Sequence, residues 1–253
     1  MRLQHATWQE VETYLQRETG IIVPIGSTEQ HGPNGLVGTD AICPETVAWE
    51  IGERHGVLVA PTQNLGMAQH HLAFPGTISL RPITLMAVLR DTVTSLARHG
   101  FTHVLFLNGH GGNIASLSAA FAEIYTERSM GLGPQPAGEL HLTTNNWFAG
   151  PRVRELAESL YGGAEGTHAT ASEVALSWFA RPEAIKQVAM SPRIAPRGSA
   201  QCDADEFRRR FPDGRMGSDP SLASVEHGQR LFEASVADVW EAYRAFTRPI
   251  TGT

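Results

Sequence analysis

The chain has 253 residues, 42% of them hydrophobic and 18% charged, the balance of a globular protein with a sizeable core. Twenty Lys and Arg against 26 Asp and Glu give a formal net charge of −6, which argues against a nucleic-acid partner, because affinity for phosphates rests on clustered cations. No apolar stretch approaches the ~20 residues that cross a bilayer, the N-terminal segment has no signal-like apolar core, and Cys43 and Cys202 form no CxxC, so the expectation is a cytoplasmic protein without membrane contact, disulfide framework or thiolate zinc site.

In chain order, Trp8, Val11, Tyr14 and Leu15 recur at helical spacing. Ile21–Ile25 is continuously apolar and bounded by glycines, as a strand buried on both faces reads. A helix is expected to open at Pro44, a favourable first-turn residue, and to run through Val47 and Ile51. Val57–Ala60 is a second strand. A helix opens near Pro82, carries Leu85, Val88, Leu89 and Leu96, and stops at Gly100. Val104–Leu107 is a third strand, followed by a helix that Asn113 can cap and that continues to Tyr125. Glu139–Thr144 is a weaker, alternating fourth strand, and Phe232, Val239, Tyr243 and Phe246 mark a long terminal helix. Residues 61–81 and 187–224 have no period and read as long functional loops. The alternation of strands and helices predicts an α/β fold, a three-layer sandwich with a central, mostly parallel sheet and helices on both faces, in one domain over residues 1–253.

Three clusters carry chemistry. Gly26–Pro33 follows the first strand directly, and in extended chain Glu29 and His31 lie on one face with Cα atoms roughly 6–7 Å apart, a carboxylate and an imidazole able to share a metal ion. Asp40 follows after a Gly- and Pro-rich loop that can fold it back. A capping box between Ser27 and Gln30 is the competing reading, but Gly32, Pro33 and Gly35 leave no helix to cap. The second cluster, Asn108–Asn113, places His110 among glycines at the end of the most apolar strand, on the edge where open α/β sheets bind ligands. It reads as a ligand site or a plain strand-to-helix turn; a nucleotide loop is excluded by the missing Lys-Ser/Thr. In the third, Thr167–Glu173, His168 precedes a helix and Glu173 sits in its early turns, where a glutamate ordinarily complements the helix dipole. His70 and His71 read more readily as surface residues of a polar loop than as pocket residues. His99 and His103 fall at the opposite edge and read as structural. Trp147 reads as a core residue or a platform for a flat substrate.

Taken together, GSTEQHGPNGLVGTD, FPGTISL (Phe74–Leu80), LNGHGGN and HATASE, with Gly217–Pro220 and Gly228, resemble the signatures of the creatininase family in the family's order, over nearly the whole chain. The resemblance implies a mainly parallel sheet, two divalent metal ions, a homo-oligomer that is commonly a hexamer, and hydrolysis of a C–N amide bond other than an ordinary internal peptide bond. It assigns Glu29, His31, Asp40 and His110 as metal ligands, with Asp40 bridging. Glu173 completes the ligand set, and His168 is a proton donor near the substrate. The chain departs from the family pattern at Gly112 and Ala164, where creatininases proper carry Glu and Trp. It also departs at Asn34 in place of His and at Thr170 and Ala171 within the usual HAGE. These departures point away from creatinine and toward another small amide or a short modified peptide.

The implied mechanism is a water held between two ions, of Zn²⁺, Mn²⁺ or Fe²⁺, whose hydroxide attacks the carbonyl while His168 or Glu173 supplies the leaving nitrogen with a proton. A two-metal phosphoesterase is the first rival, and it predicts basic residues near the ligands, of which residues 26–40 and 108–113 contain none. A non-catalytic binding or assembly member of the same fold is the second, and it predicts no metal requirement. Neither cysteine has a sequence-adjacent His or basic partner, which argues against thiol catalysis.

Overall fold

The computed structural model describes residues 1–132 and 138–248. Four strands, β1 (Gly20–Ile25), β2 (Leu58–Val59), β3 (His103–Asn108) and β4 (His141–Asn146), form one parallel sheet in the order β2-β1-β3-β4. β1 and β3 pair from Gly20 opposite His103 to Ile25 opposite Asn108. Pro24 is tolerated in a central strand because its carbonyl, and so the side its missing N–H would face, points past the end of the short β2, where only the Gln63 N–H reaches it.

Side-chain alternation along the strands divides the core into two layers. Ile21, Val23 and Ile25 of β1 and Val104 and Phe106 of β3 pack against α1 (Trp8–Leu15), α3 (Pro82–Arg98) and α4 (Asn113–Met130). Ile22, Leu105 and Leu107 face the other way, onto α2 (Thr39–His55), α5 (Pro151–Tyr161), α6 (Ala171–Ala180) and α8 (Val225–Phe246). This is the expected three-layer arrangement, a parallel sheet with helices on both faces. No helix among the described residues is long and apolar enough to cross a membrane.

The connections place the site. From β1 the chain leaves through α2 on one face toward β2; from β3 it leaves through α4 on the other face toward β4. The loops beyond the carboxyl ends of β1 and β3 therefore diverge and open a crevice between them.

Several expectations need correction. α2 opens at Thr39, more than a turn before Pro44, which lies inside the helix. Asn113 is the first residue of α4 rather than its cap, and α4 runs on to Met130 rather than ending at Tyr125. The segment 187–224 contains a short helix, α7 (Ala204–Arg210), whose Phe207 joins Phe74, Phe211 and Met216 in a small separate apolar cluster. The rest of that segment is organised by polar contacts. Fully buried Arg215 pairs with Asp213 at 2.7 Å and donates to the carbonyls of Pro192, Arg193 and Ser218, which is why no hydrophobic period marks it.

Candidate metal centre

Asp40 is brought to the crevice by the first turn of α2, and the main chain around it is wedged between the ends of β1 and β3. Pro44 has no N–H to offer the Asp40 carbonyl. That carbonyl lies instead against Gly26 and Gly109, where an added Cβ would come within 2.2 and 2.0 Å of its oxygen. Glycine at both strand ends is thus the condition for Asp40 to reach the site.

The side chains converge around two carboxylates. Asp40 Oδ2 lies 2.9 Å from His110 Nδ1, and Asp40 Oδ1 lies 3.1 Å from His31 Nε2, which is itself 3.9 Å from Glu173 Oε1. Glu29 is fully buried, with Oε2 3.2 Å from His110 Nε2, Oε1 3.2 Å from His71 Nε2 and 3.7 Å from His168 Nδ1. Glu29–Asp40–His110 and His31–Asp40–Glu173 are each compact enough to hold a metal ion, and Asp40 belongs to both. A third compact group, Glu29–His31–His168, overlaps them.

Neighbouring main chain fixes the imidazoles. The Glu29 carbonyl lies 3.0 Å from His31 Nδ1, and the Met67 carbonyl 2.9 Å from His110 Nε2. A proton on each of those nitrogens leaves His31 Nε2 and His110 Nδ1, the atoms facing Asp40, with free lone pairs. Asn108 and Asn113 brace the His110 loop. Asn108 receives the His110 N–H and donates to its carbonyl; Asn113 donates to the Gly26 carbonyl and receives the Met67 N–H. A Cβ at Gly112 would lie 2.3 Å from His110 Nε2 and 2.5 Å from the Met67 carbonyl, so the glutamate of creatininases proper has no room at this position. Glu173 approaches His31 from α6 instead. It also closes a capping box with Thr170, so the ordinary helix-start reading and the site reading are both true of one side chain.

The electrostatics are those of a site short of positive charge. Burial works against an imidazolium at His31, but Asp40 and then Glu173 and Glu29 outweigh it and raise the pKa to about 10. At His110, Glu29 and Asp40 likewise overcome burial and raise it to about 9. Burial favours the protonated carboxyl at Asp40, yet the His31 and His110 charges hold it well below the usual carboxylate range. Burial pushes Glu173 up to about 7. His71 falls to about 2 through burial and the His70 and His31 charges, and His168 is lowered well below its ordinary value by burial, His71 and His31.

His71 is the residue that sequence reasoning misplaced. Rather than lying on a polar surface, His70 and His71 are buried. The His71 ring stacks on His168 at 4.2 Å and meets the edge of Phe207 at 4.7 Å. Its signal was FPGTISL downstream, whose Ile78 and Leu80 N–H groups bond the Thr28 and Gly66 carbonyls; its partner Phe207 arrives from a remote helix that no local pattern predicts. Cys43 donates to the Glu173 carbonyl at 3.5 Å, and burial pushes its thiol up, which suits a structural role. Both cysteines are free.

A cavity of about 520 Å³ adjoins the cluster. Asp40, His110, His168 and Glu173 line one part of it, and Trp147, Phe148 and Val153 supply an apolar wall.

The family model for creatininase, described as creatinine amidohydrolase, matches residues 4–243. The chain belongs to the creatininase family. Over 121 residues it is 36% identical to the mycofactocin precursor peptide peptidase of Mycolicibacterium smegmatis, a match covering 45% of this chain and 49% of that one. Over 113 residues it is 34% identical to the creatinine amidohydrolase of Pseudomonas putida, covering 42% and 44%. In these matches the chain spans about half the length of its curated relatives. The solved structure "Creatininase Mn" aligns over 98% of this chain and 99% of its own, with a TM-score of 0.81 and 25% identity.

Proposed function

We propose that this creatininase-family chain is a metal-dependent amidohydrolase acting on a cyclic or otherwise non-standard C–N amide bond. One observation carries the reading: the two oxygens of Asp40 face two different donor sets, Glu29 with His110 on one side and His31 with Glu173 on the other.

The residues fit a pair of divalent ions by their own chemistry. Glu29 Oε1, Glu29 Oε2 and Asp40 Oδ2 are buried without a hydrogen-bond partner, although imidazole nitrogens stand close by. Buried carboxylate oxygens left in that condition cost several kcal/mol, on the order of what a bound cation restores. The mixture of carboxylate oxygen and imidazole nitrogen suits Zn²⁺, Mn²⁺ or Fe²⁺, and a relative is known as a manganese form. Such ions, when bound, polarise an amide carbonyl and bring the pKa of water toward neutrality.

The remaining work falls to the chain. Gly111, two residues before α4, lines the cavity where a main-chain amide can meet a developing oxyanion. Glu173, with Oε1 held by the Thr170 N–H, lines the cavity where it can carry a proton to the leaving nitrogen. His168 lies within the same cavity, its Nε2 anchored 2.9 Å from the Gln30 carbonyl. Burial keeps its ring neutral at rest, so it is suited to take up the proton released by the attacking water and pass it to the leaving nitrogen. Trp147 and Phe148 exclude water from the apolar wall. Names of relatives that specify creatinine or a precursor peptide support an amide substrate here. Among the described residues Arg154 is the one Lys or Arg lining the cavity, which leaves little to hold a phosphoester. The reading includes homo-oligomeric assembly, which native mass spectrometry tests.

Elemental analysis and a screen for amine release from cyclic amides, formamides and short peptides test the function. Two ions per chain and amine release are expected, with both lost in Asp40→Asn. Full metal content and activity in that variant, or metal without any amine release, would overturn it.

A further inference from the structure

The proposed metal ligands account for only part of the cavity. Glu165 lines it as well, on the segment between α5 and α6, and belongs to none of the metal-binding groups. Its carboxylate is oriented by the start of α6. The Ser172 hydroxyl donates to Oε1 and the Ser172 N–H donates to Oε2 at 3.2 Å. Thr170 Oγ1 stands 3.3 Å from the Ser172 hydroxyl and extends the network. Ser172 is itself buried, so the carboxylate is held by a fixed base rather than swinging from a loop.

What this carboxylate lacks is a cation. Its hydrogen-bonding groups are Ser172 and Thr170, both neutral, the charge it acts on is the like-charged Glu173, burial pushes its carboxyl up, and none of its partners among the described residues is Arg, Lys or His. Arg154, the basic residue of the lining, is exposed on α5 and makes no ion pair with it. Two neutral donors satisfy only half of the roughly four lone-pair directions a carboxylate offers. A partly buried, pre-oriented carboxylate without a countercharge, facing a substrate cavity, is a receptor for positive charge.

We propose that Glu165 is a specificity-determining residue that receives a cationic nitrogen group of the substrate, an ammonium, amidinium or guanidinium. The apolar body of that substrate lies along Trp147, Phe148 and Val153, and its amide carbonyl is directed to the Asp40–Glu173 end of the cavity. The substrate class is therefore an amide that carries a positive charge. This assignment rests on the amidohydrolase reading for the placement of the carbonyl, and on the Glu165 environment alone for the charge.

Calorimetric titration of the metal-loaded protein with phenylalanine amide and with 3-phenylpropanamide tests it, since the second probe lacks only the amino group. The expected result is at least about tenfold tighter binding of the cationic probe, since a buried charge gains most from a partner that neutralises it. Glu165→Gln should bring the ratio of the two affinities to about one, and Glu165→Asp, which keeps the charge, should retain part of the preference. Metal content and melting temperature establish that both variants are folded. Equal affinities in the unaltered protein, a preference that survives Glu165→Gln, a parallel weakening of both probes, or no binding of the cationic probe would each overturn the assignment. Ammonia release, followed in parallel, separates the two claims. Charge-selective binding without ammonia supports the role of Glu165 and leaves hydrolysis to the amine-release screen. Release from both probes with equal KM overturns the role of Glu165 and leaves hydrolysis standing.

Discussion

Histidines gather at both edges of the sheet, and the two gatherings have opposite character. At the carboxyl edge His31, His71, His110 and His168 surround Glu29 and Asp40, two buried carboxylates with unpartnered oxygens. At the amino edge His103 and His141 stack on each other at 4.6 Å, with Phe246 edge-on at 5.3 Å, and the carboxylate beside them is the exposed Glu139, 3.2 Å from His141. His55, also at that edge, stacks flat on Trp240 at 3.8 Å. The rings at the amino edge pack as ordinary flat side chains, and burial followed by the His141 charge lowers the pKa of His103. The rings at the carboxyl edge are organised by negative charge that the fold has enclosed. The difference between a packed histidine and a ligand lies in the carboxylates around it and in which nitrogen the main chain leaves free.

The largest contrast between the edges appears with pH. In the metal-free chain His31 titrates at about 10 and His110 at about 9, against an ordinary 6.5. Both therefore carry protons at neutral pH, which a metal ion must displace. A pKa raised by folding contributes stability that is complete below about 6.5 and is lost as pH climbs through 9 and 10, because the native state keeps protons the unfolded chain has released. The metal-free protein should accordingly lose melting temperature between pH 6.5 and 8.5. Over the same interval metal affinity should rise by as much as about 100-fold per pH unit if two protons are released. Melting curves with and without Mn²⁺ across that range check both signs. A gap between the curves that narrows with rising pH would sink the claim that His31 and His110 are the displaced partners.

Much of the sheet was legible in the sequence, and the reason is burial on both faces. β1 and the Val104–Leu107 part of β3 show up as continuous apolar runs because nothing in them meets water, and α3 announces itself with Pro82 and Gly100. α2 was read late because Thr39–Cys43 pack against the strand ends and follow no hydrophobic period, while Pro44 imitates a helix start. α5 and α7 were missed. α5 is polar over most of its exposed face, and α7 buries only Phe207. Within the site, Glu29, His31, Asp40 and His110 stand out locally because glycines bracket them. His71 and Glu165 do not, since their significance comes from Phe207, His168 and Ser172, contacts made only in the folded chain.

A single added methyl sharpens the comparison at the carboxyl edge. Gly112→Ala forces a carbon against His110 Nε2 and the Met67 carbonyl, where 2.3 and 2.5 Å are available. The hydrogen bond that orients His110 must break or shift, and loss of such an orienting partner costs about 10–100-fold in metal affinity. Competition against a chelator measures it. Unchanged affinity would mean that the Met67 carbonyl does not set which His110 nitrogen faces Asp40.

The smallest effect belongs to the amino edge. His103→Ala removes one ring from the stack with His141, a contact to Phe246 and a 2.9 Å hydrogen bond with the Thr102 hydroxyl. His103 is only partly buried and holds no buried carboxylate in check, so the loss should be about 0.5–1.5 kcal/mol, the scale of an aromatic contact. Urea midpoints report that number, and elemental analysis of the same samples reports the more telling one, a metal content equal to that of the unaltered chain. His103 begins β3 and His110 follows its end, so a rigid, fully paired strand separates them. If shortening His103 nonetheless emptied the carboxyl edge of metal, strand β3 would be transmitting a shift along its length, and enclosed negative charge would no longer suffice to explain why one set of histidines binds and the other only packs.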